Sequence, residues 1–557
     1  MGPRCPSRSG HPCIQVNREL FFSPLESAML ESSSRISWPQ VIVVFAAVWG
    51  FNALRRIFRV VKVALTPSEF PKLYTPLYPF SFPGGLFTSS SWIDGRDWHW
   101  VRRFQTYRQN ETVLVVPILA GKPALWSSNM DIGHQVTGGH RSTFIKPPDS
   151  SGALLAWGMN ITSAEGPMWR KHRRVVSPAF GPELYKLVWN KTREIYRDMI
   201  EVEGWKDSAV VDIPVIQKIT AKVAFLLIST CGFGFPSTWE DSPRTADDGM
   251  PIQEALRIVA ETSDLFMVFP EWLRFLPISR IREGSLARDR LRVFMQDQVT
   301  ERRALVVAGD KRPDVFTIMV KANEDESSKY QLDDSELIGN VFIMLFGGHE
   351  TTANSLAVTL GYLSIHEEIQ NELVEQIMSV IGPTRDPEYD DYLKLDKVLA
   401  AFYEATRLIP AGHALIRQAT EDTVLTVQNP IGEDGTKTVP IPKGTSVILD
   451  MVGVQYNPRY FEDPTDYKPS RWYGLPADSE QFTAFSIGPR ACLGRRFATV
   501  EATCFLALLL RDWQVLPDLR ARETKEAWRE RVLNDVHVSI TMKAGDFPIK
   551  LARRKSF

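Results

Sequence analysis

Cysteine is scarce in this chain. Five residues in 557, Cys5, Cys13, Cys231, Cys492 and Cys504, are too few and too scattered to form a disulfide framework, which excludes a small secreted disulfide scaffold. The main domain is therefore expected to fold in a reducing compartment, with thiols left for chemistry. An excess of one charge is also missing. The 65 Lys+Arg balance 66 Asp+Glu to a net −1, so neither a nucleic-acid partner nor an acidic tail is indicated. There is no internal repeat, no low-complexity block, and no glycine fingerprint for a flavin or a dinucleotide.

Only one long hydrophobic run is present. Residues 38–54 are apolar or small except for Gln40 and Asn52, and Arg55, Arg56, Arg59 and Lys62 follow directly. A run of this length is near the minimum for one membrane span, and the basic flank predicts a cytosolic C-terminal side. Five prolines, Pro67, Pro71, Pro76, Pro79 and Pro83, then read as a semi-rigid tether. The expected organisation is a lumenal head (1–35), a transmembrane anchor (36–54), a basic and proline-rich tether (55–85) and one large domain (86–557). Within that domain, helical periodicity dominates at 182–203, 335–376, 393–408 and 495–511. Short strand-like runs occur at 111–119 and 444–449, so the fold class is mainly α with a minor β component.

Two segments carry chemistry. In Phe485-Ser486-Ile487-Gly488-Pro489-Arg490-Ala491-Cys492-Leu493-Gly494, Gly488 and Pro489 permit a tight turn and Gly494 lets backbone N–H groups approach the sulfur. Cys492 stands at the start of an apolar helix beside Arg490, Arg495 and Arg496, a setting expected to favour thiolate. A long proline-free helix is expected from a capping box at Asp333 and Glu336, and in its middle stand Gly347-Gly348-His349-Glu350-Thr351-Thr352. Two glycines inside a helix cost roughly 1 kcal/mol each relative to alanine, so a steric reason is expected for them. Helical spacing puts Asn340, Ile343, Gly347, Thr351 and Ser355 on one stripe.

The cysteine loop resembles the haem-binding signature of the cytochrome P450 family, Phe-x-x-Gly-x-Arg-x-Cys-x-Gly, at all its fixed positions. The glycine-rich helix segment is similar to the family's Ala/Gly-Gly-x-Asp/Glu-Thr-Thr/Ser. Glu404-Ala405-Thr406-Arg407 resembles the family's Glu-x-x-Arg, with Arg471 as its third member. There Tyr467 stands where the family commonly has Phe. Trp169 and Arg173 match Trp-x-x-x-Arg. The resemblance covers roughly residues 80 to 545 and implies the haem-thiolate fold preceded by one transmembrane helix. It implies haem b (iron protoporphyrin IX) with Cys492 as axial thiolate, and propionates held by Trp169, Arg173, Arg417 and Arg490. Gly347 would make room for dioxygen, Thr351 would donate a hydrogen bond to it, and Glu350 would relay protons.

The implied activity inserts one oxygen atom from dioxygen into a lipophilic small molecule. Electrons would come from NADPH through a separate membrane-bound flavoprotein reductase, drawn to Arg170, Lys171, Arg174, Arg495 and Arg496 at the endoplasmic reticulum. A haem-thiolate isomerase or dehydratase and a non-catalytic haem-binding membrane protein compete with this reading; the retained Glu350 and Thr351 speak against both. The substrate is open. The loop after Pro410 carries Ala411 and Gly412, and the next residue, His413, is expected to face water.

Overall fold

The computed structural model describes residues 38–554 apart from 139–142, 148–151, 156, 236–237, 241–249, 253, 256, 260–261, 263–277, 326–328, 477–478 and 480. The expected head at 1–35, with Cys5 and Cys13, lies outside the described residues. The chain divides into two compact units between Lys62 and Val63.

The expected anchor is helical but differs from expectation. Helix α1 (Trp38–Leu65) does not stop at residue 54; it continues through the basic run. Among the described residues no helix is long and apolar enough to cross a membrane. The unbroken apolar stretch between Gln40 and Asn52 is short, 41–51, against the roughly 20 residues a span requires. The tether at 55–85 is also corrected. Its first part belongs to α1, and β1 (Lys72–Leu77) pairs in parallel with β2 (Thr112–Ala120), Lys72 opposite Leu114. Because β1 is an edge strand, Pro76 can be accommodated without breaking an interior ladder.

The large unit is mainly helical with minor sheets. Its principal helices are α2 (Gly166–Val176), α3 (Pro182–Val202), α4 (Ile216–Leu227), α5 (Ser279–Val307), α6 (Asp334–Ile365), α7 (Glu367–Val380), α8 (Asp396–Leu408) and α9 (Arg495–Asp512). Strands β3 (Ala124–Ser127), β4 (Phe144–Ile145), β6 (Ala414–Ala419) and β9 (Ser446–Asp450) join β1 and β2 in a six-stranded sheet ordered β1-β2-β3-β9-β6-β4. A second sheet has the order β10 (Trp513–Pro517), β13 (Ile549–Arg553), β5 (Val210–Ile213). Two hairpins, β7 (Thr423–Gln428) with β8 (Thr436–Ile441) and β11 (Val536–Val538) with β12 (Met542–Ala544), complete the strands among the described residues.

Helix α6 runs through the core and begins with the expected capping box. Glu336 N donates to Asp333 Oδ1 at 2.8 Å and Asp333 N donates to Glu336 Oε2 at 2.9 Å. It stops at His366, whose backbone (φ −111°, ψ 76°) has left the helical region, so 335–376 is two helices rather than one. Behind the cysteine loop, α9 buries Phe505, Leu506, Leu508, Leu509 and Leu510. Each is worth about 1.5–3 kcal/mol of apolar burial, which fixes the loop's exit direction.

A buried polar knot fastens this region. Glu404 and Arg407 are completely buried, and Arg407 Nε and Nη2 donate to the two Glu404 oxygens at 2.9 and 2.8 Å. Arg471 Nε donates to Glu404 Oε1 at 2.9 Å and Trp472 Nε1 to Oε2 at 2.7 Å. The remaining Arg407 donors reach the carbonyls of Gln455, Pro464 and Asp466, so both charges are satisfied. Tyr467 has a use for its hydroxyl, which donates to Ala401 O at 3.0 Å while its ring stacks on Tyr362.

Candidate active site

The cysteine loop is held by its own backbone. Cys492 N donates to Phe485 O at 2.9 Å, closing the loop on itself. Gly488 takes φ 69°, a conformation that L side chains rarely adopt. The Cys492 sulfur faces a cavity of about 240 Å³, with the backbone N–H groups of Gly494 and Arg495 close enough to favour its charged form. Burial nevertheless pushes the thiol up, and those two N–H groups with Arg173 and Arg495 only partly oppose it. The helix start and its cations act in the expected direction, toward thiolate, but in the protein alone desolvation acts the other way.

Helix α6 supplies another wall through Ile343, Met344, Gly347, Gly348, Thr351 and Thr352. The two glycines have different reasons. A Cβ on Gly348 would lie 3.0 Å from Ile228 Cδ1, whereas one on Gly347 meets nothing within 4 Å, because Gly347 opens onto the cavity. The Thr351 hydroxyl donates to Gly347 O at 2.6 Å. Asn340, on the same stripe, receives Ile161 N at 2.8 Å and lies 2.7 Å from His172 Nδ1, tying α6 to the start of α2.

Cations gather at one rim. Trp169, Arg173 and Arg490 line the cavity, and so does Lys146, which sequence reasoning missed. Nothing in Thr143-Phe144-Ile145-Lys146-Pro147 marks that lysine. Only the pairing of β4 with β6 brings it beside Arg417. Burial pulls Lys146 down to about 7, aided by Arg417 and Arg490, and takes Arg490 down to about 10. Burial likewise lowers Arg173 and Arg417.

Several expected residues sit elsewhere. Arg417 does not line the cavity; it is buried behind the rim, with Nη1 donating to Ile416 O at 2.8 Å. Glu350 is also off the cavity wall and pairs with Lys543 at 3.2 Å. Helical rotation turns it away from its neighbour Thr351. His413 does not face water. It is buried, stacks on His99 with ring centroids 4.8 Å apart, and has Nε2 at 3.2 Å from Ser539 O; burial takes it down to about 4. Of the basic run, Lys171 is engaged by Glu336 at 2.6 Å and Arg495 donates to Ser479 O at 2.9 Å, whereas Arg170 and Arg174 are exposed.

The donor set suits a flat dianionic ligand. A cysteine sulfur faces an apolar cavity lined by Ile228, Phe485, Leu493 and Phe497, and three cations share that cavity, the Arg173 side chain making no hydrogen bond or ion pair among the described residues. Haem, with its iron for the sulfur and two carboxylates for the cations, fits these residues. The fold and site thus define a haem-thiolate protein.

Comparison with known proteins agrees. The Cytochrome P450 family model matches residues 114–542. The chain is 35% identical to cytochrome P450 monooxygenase 124 of Postia placenta over 424 residues, 74% of this chain and 80% of that protein. It is 28% identical to human cytochrome P450 4F12, over 74% of this chain and 79% of that one. The crystal structure of the cytochrome P450DA heme domain superposes with a TM-score of 0.67 at 20% identity, covering 87% of this chain and 98% of that one. The chain belongs to the cytochrome P450 family and is a cytochrome P450 monooxygenase.

Proposed function

We propose that Cys492 would ligate the iron of haem b, that Trp169, Arg173, Arg417 and Arg490 would serve its propionates, and that Gly347, Thr351 and Glu350 would handle dioxygen and protons. The observation that carries this reading is that Cys492 and Thr351 line one cavity from different elements, the cysteine loop and α6. Bound there, the haem supplies the chemistry that inserts one oxygen atom from dioxygen into a C–H bond.

The chain's own groups have distinct tasks. Cys492 would bind the iron as thiolate, and the nearby Gly494 and Arg495 N–H groups favour the charge on sulfur. Arg173 and Trp169 orient the propionates, while Arg417, one layer back, adds positive potential without touching the cavity. Thr351 holds a hydroxyl at the α6 wall, where Gly347 leaves room for a diatomic molecule. Glu350, paired with Lys543 off the cavity wall, would take up protons from water, which reach Thr351 through solvent rather than by direct contact.

The substrate is a lipophilic small molecule of the kind handled in secondary metabolism. The apolar side chains of Ile228, Ile343 and Met344 beside Gly347 support this. NADPH supplies the electrons through a flavoprotein reductase, and the enzyme resides at the cytosolic face of the endoplasmic reticulum, carried there by its N-terminal segment. Cys492→Ser tests the central assignment. The reduced carbon monoxide complex of the parent chain should show the red-shifted Soret band of thiolate ligation, and the serine variant should lose it; a variant that keeps the band rules Cys492 out as the ligand.

A further inference from the structure

Resting on the haem reading above, we propose that Glu165 competes with a haem propionate for the Arg490 guanidinium. The Glu165–Arg490 ion pair is then a clasp at the cavity rim that shapes how fast haem is released.

The guanidinium is already engaged on both arms. Arg490 Nη2 lies 2.8 Å from Glu165 Oε2, and Nη1 donates to Ala164 O at 2.9 Å and Ile161 O at 3.4 Å. Its carbon sits 4.3 Å from the centre of the Trp169 ring. All these partners belong to residues 161–169, the lead-in and first turn of α2. The same lead-in takes Lys146, whose Nζ donates to Thr162 O at 2.5 Å. Arg173 makes no such commitment among the described residues, so it stands open to a carboxylate where Arg490 does not.

Glu165 also forgoes a local alternative. It occupies the N-cap position of α2 (φ −128°, ψ 160°), where a carboxylate could accept from its own helix, yet it makes no capping bond. It reaches instead to the cavity rim, where half-buried Lys146 and Arg490 lie close enough to buried Arg417 to be lowered by it. Cations so gathered need a counter-charge, and Glu165 is the carboxylate that acts on Arg490, Arg417 and Lys146 alike. A propionate offers the same charge to the same fork. Arginine serves two carboxylates less well than one, so each lowers the hold of the other.

The test is haem transfer from the purified holoprotein to excess apomyoglobin, followed by absorbance. Glu165→Gln keeps the side chain's shape and removes its charge, leaving Arg490 to the propionate. Haem release should slow by roughly two- to five-fold, the scale of one partly exposed ion pair. In an Arg490→Gln background the same substitution should change release by less than about two-fold, because there is no guanidinium to liberate. Where that background retains no haem, Arg490→Lys replaces it, and the Glu165→Gln effect must again shrink, since an ammonium lacks the fork. Unchanged or faster release from Glu165→Gln overturns the clasp. So does a slowing that persists undiminished without Arg490, which would be simple through-space repulsion. A parent chain that binds no haem would sink the cofactor reading, whereas equal release rates sink the clasp alone.

Discussion

Thr351 Oγ1 donates to the Gly347 carbonyl at 2.6 Å, one helical turn back, and both residues face the cavity that holds Cys492. The hydroxyl is parked on its own helix rather than buried against another element, so removing it costs little packing. Thr351→Ala should therefore leave haem content and substrate binding nearly intact. Coupling should fail instead: NADPH is still consumed, but hydrogen peroxide replaces hydroxylated product. Positioned proton delivery contributes a factor of about a hundred or more, so the loss of product is easily measured. Unchanged product per NADPH would remove Thr351 from the role given to it, and turnover without NADPH would favour an isomerase.

The Glu404 knot has no part in the chemistry, and its variants should behave accordingly. Glu404→Ala leaves the wholly buried Arg407 charge without its carboxylate, at a cost of about 3–5 kcal/mol. Urea unfolding should show the midpoint falling steeply. Tyr467→Phe removes only the bond to Ala401 O and should cost about 1 kcal/mol. A Glu404→Ala midpoint equal to that of the parent chain would mean the knot contributes nothing to folding.

Lys146 gives the haem-free chain a pH dependence of predictable sign. Its folded value, about 7, lies below the ordinary lysine value of 10.5, so between these the unfolded chain binds more protons than the folded one. Stability of the haem-free fold therefore rises with pH across that window, and the penalty for burying the charge is fully present below about pH 7. Lys146→Met should raise the melting temperature of the haem-free protein most at pH 6 and progressively less toward pH 10. A gain that does not change with pH would show the lysine is not neutralised on folding.

Arg170 and Arg174 remain exposed, whereas Lys171 is drawn off to Glu336 and Arg495 to Ser479 O. Charge reversal of the two exposed arginines should slow reduction by an acidic reductase, with the difference shrinking as salt is added. Reduction by dithionite should be unaffected. Equal slowing of both would point to loss of haem rather than loss of docking.

Most of the site was legible because its motifs are local. The turn at Gly488 and Pro489, the cysteine at the start of α9, the capping box at Asp333 and the stripe from Asn340 through Thr351 all follow from the geometry of neighbours in the chain. Arg471 could be paired with Glu404 because the motif is recognisable, and the apolar flanks Val398, Leu399, Phe402, Leu408 and Ile409 point to its burial. The anchor reading caught only part of its helix: composition flagged 38–54, whereas α1 runs on through the basic residues, and among the described residues no helix is long and apolar enough to cross a membrane.

By itself the sequence determined the helical class, the cysteine loop and the glycine-opened helix, since helix periodicity and turn chemistry act over a few residues. Only the tertiary structure decided where the charges went. Glu350 meets Lys543, which is 193 positions away, and Arg490 meets the lead-in to α2 across 326 positions at Ala164 O. Lys146 reaches the cavity because β4 pairs with β6, and His413 disappears into a stack on His99. Such partners are chosen by packing of distant segments, and burial then sets each group's proton affinity. Neither quantity is written in the spacing of residues along the chain.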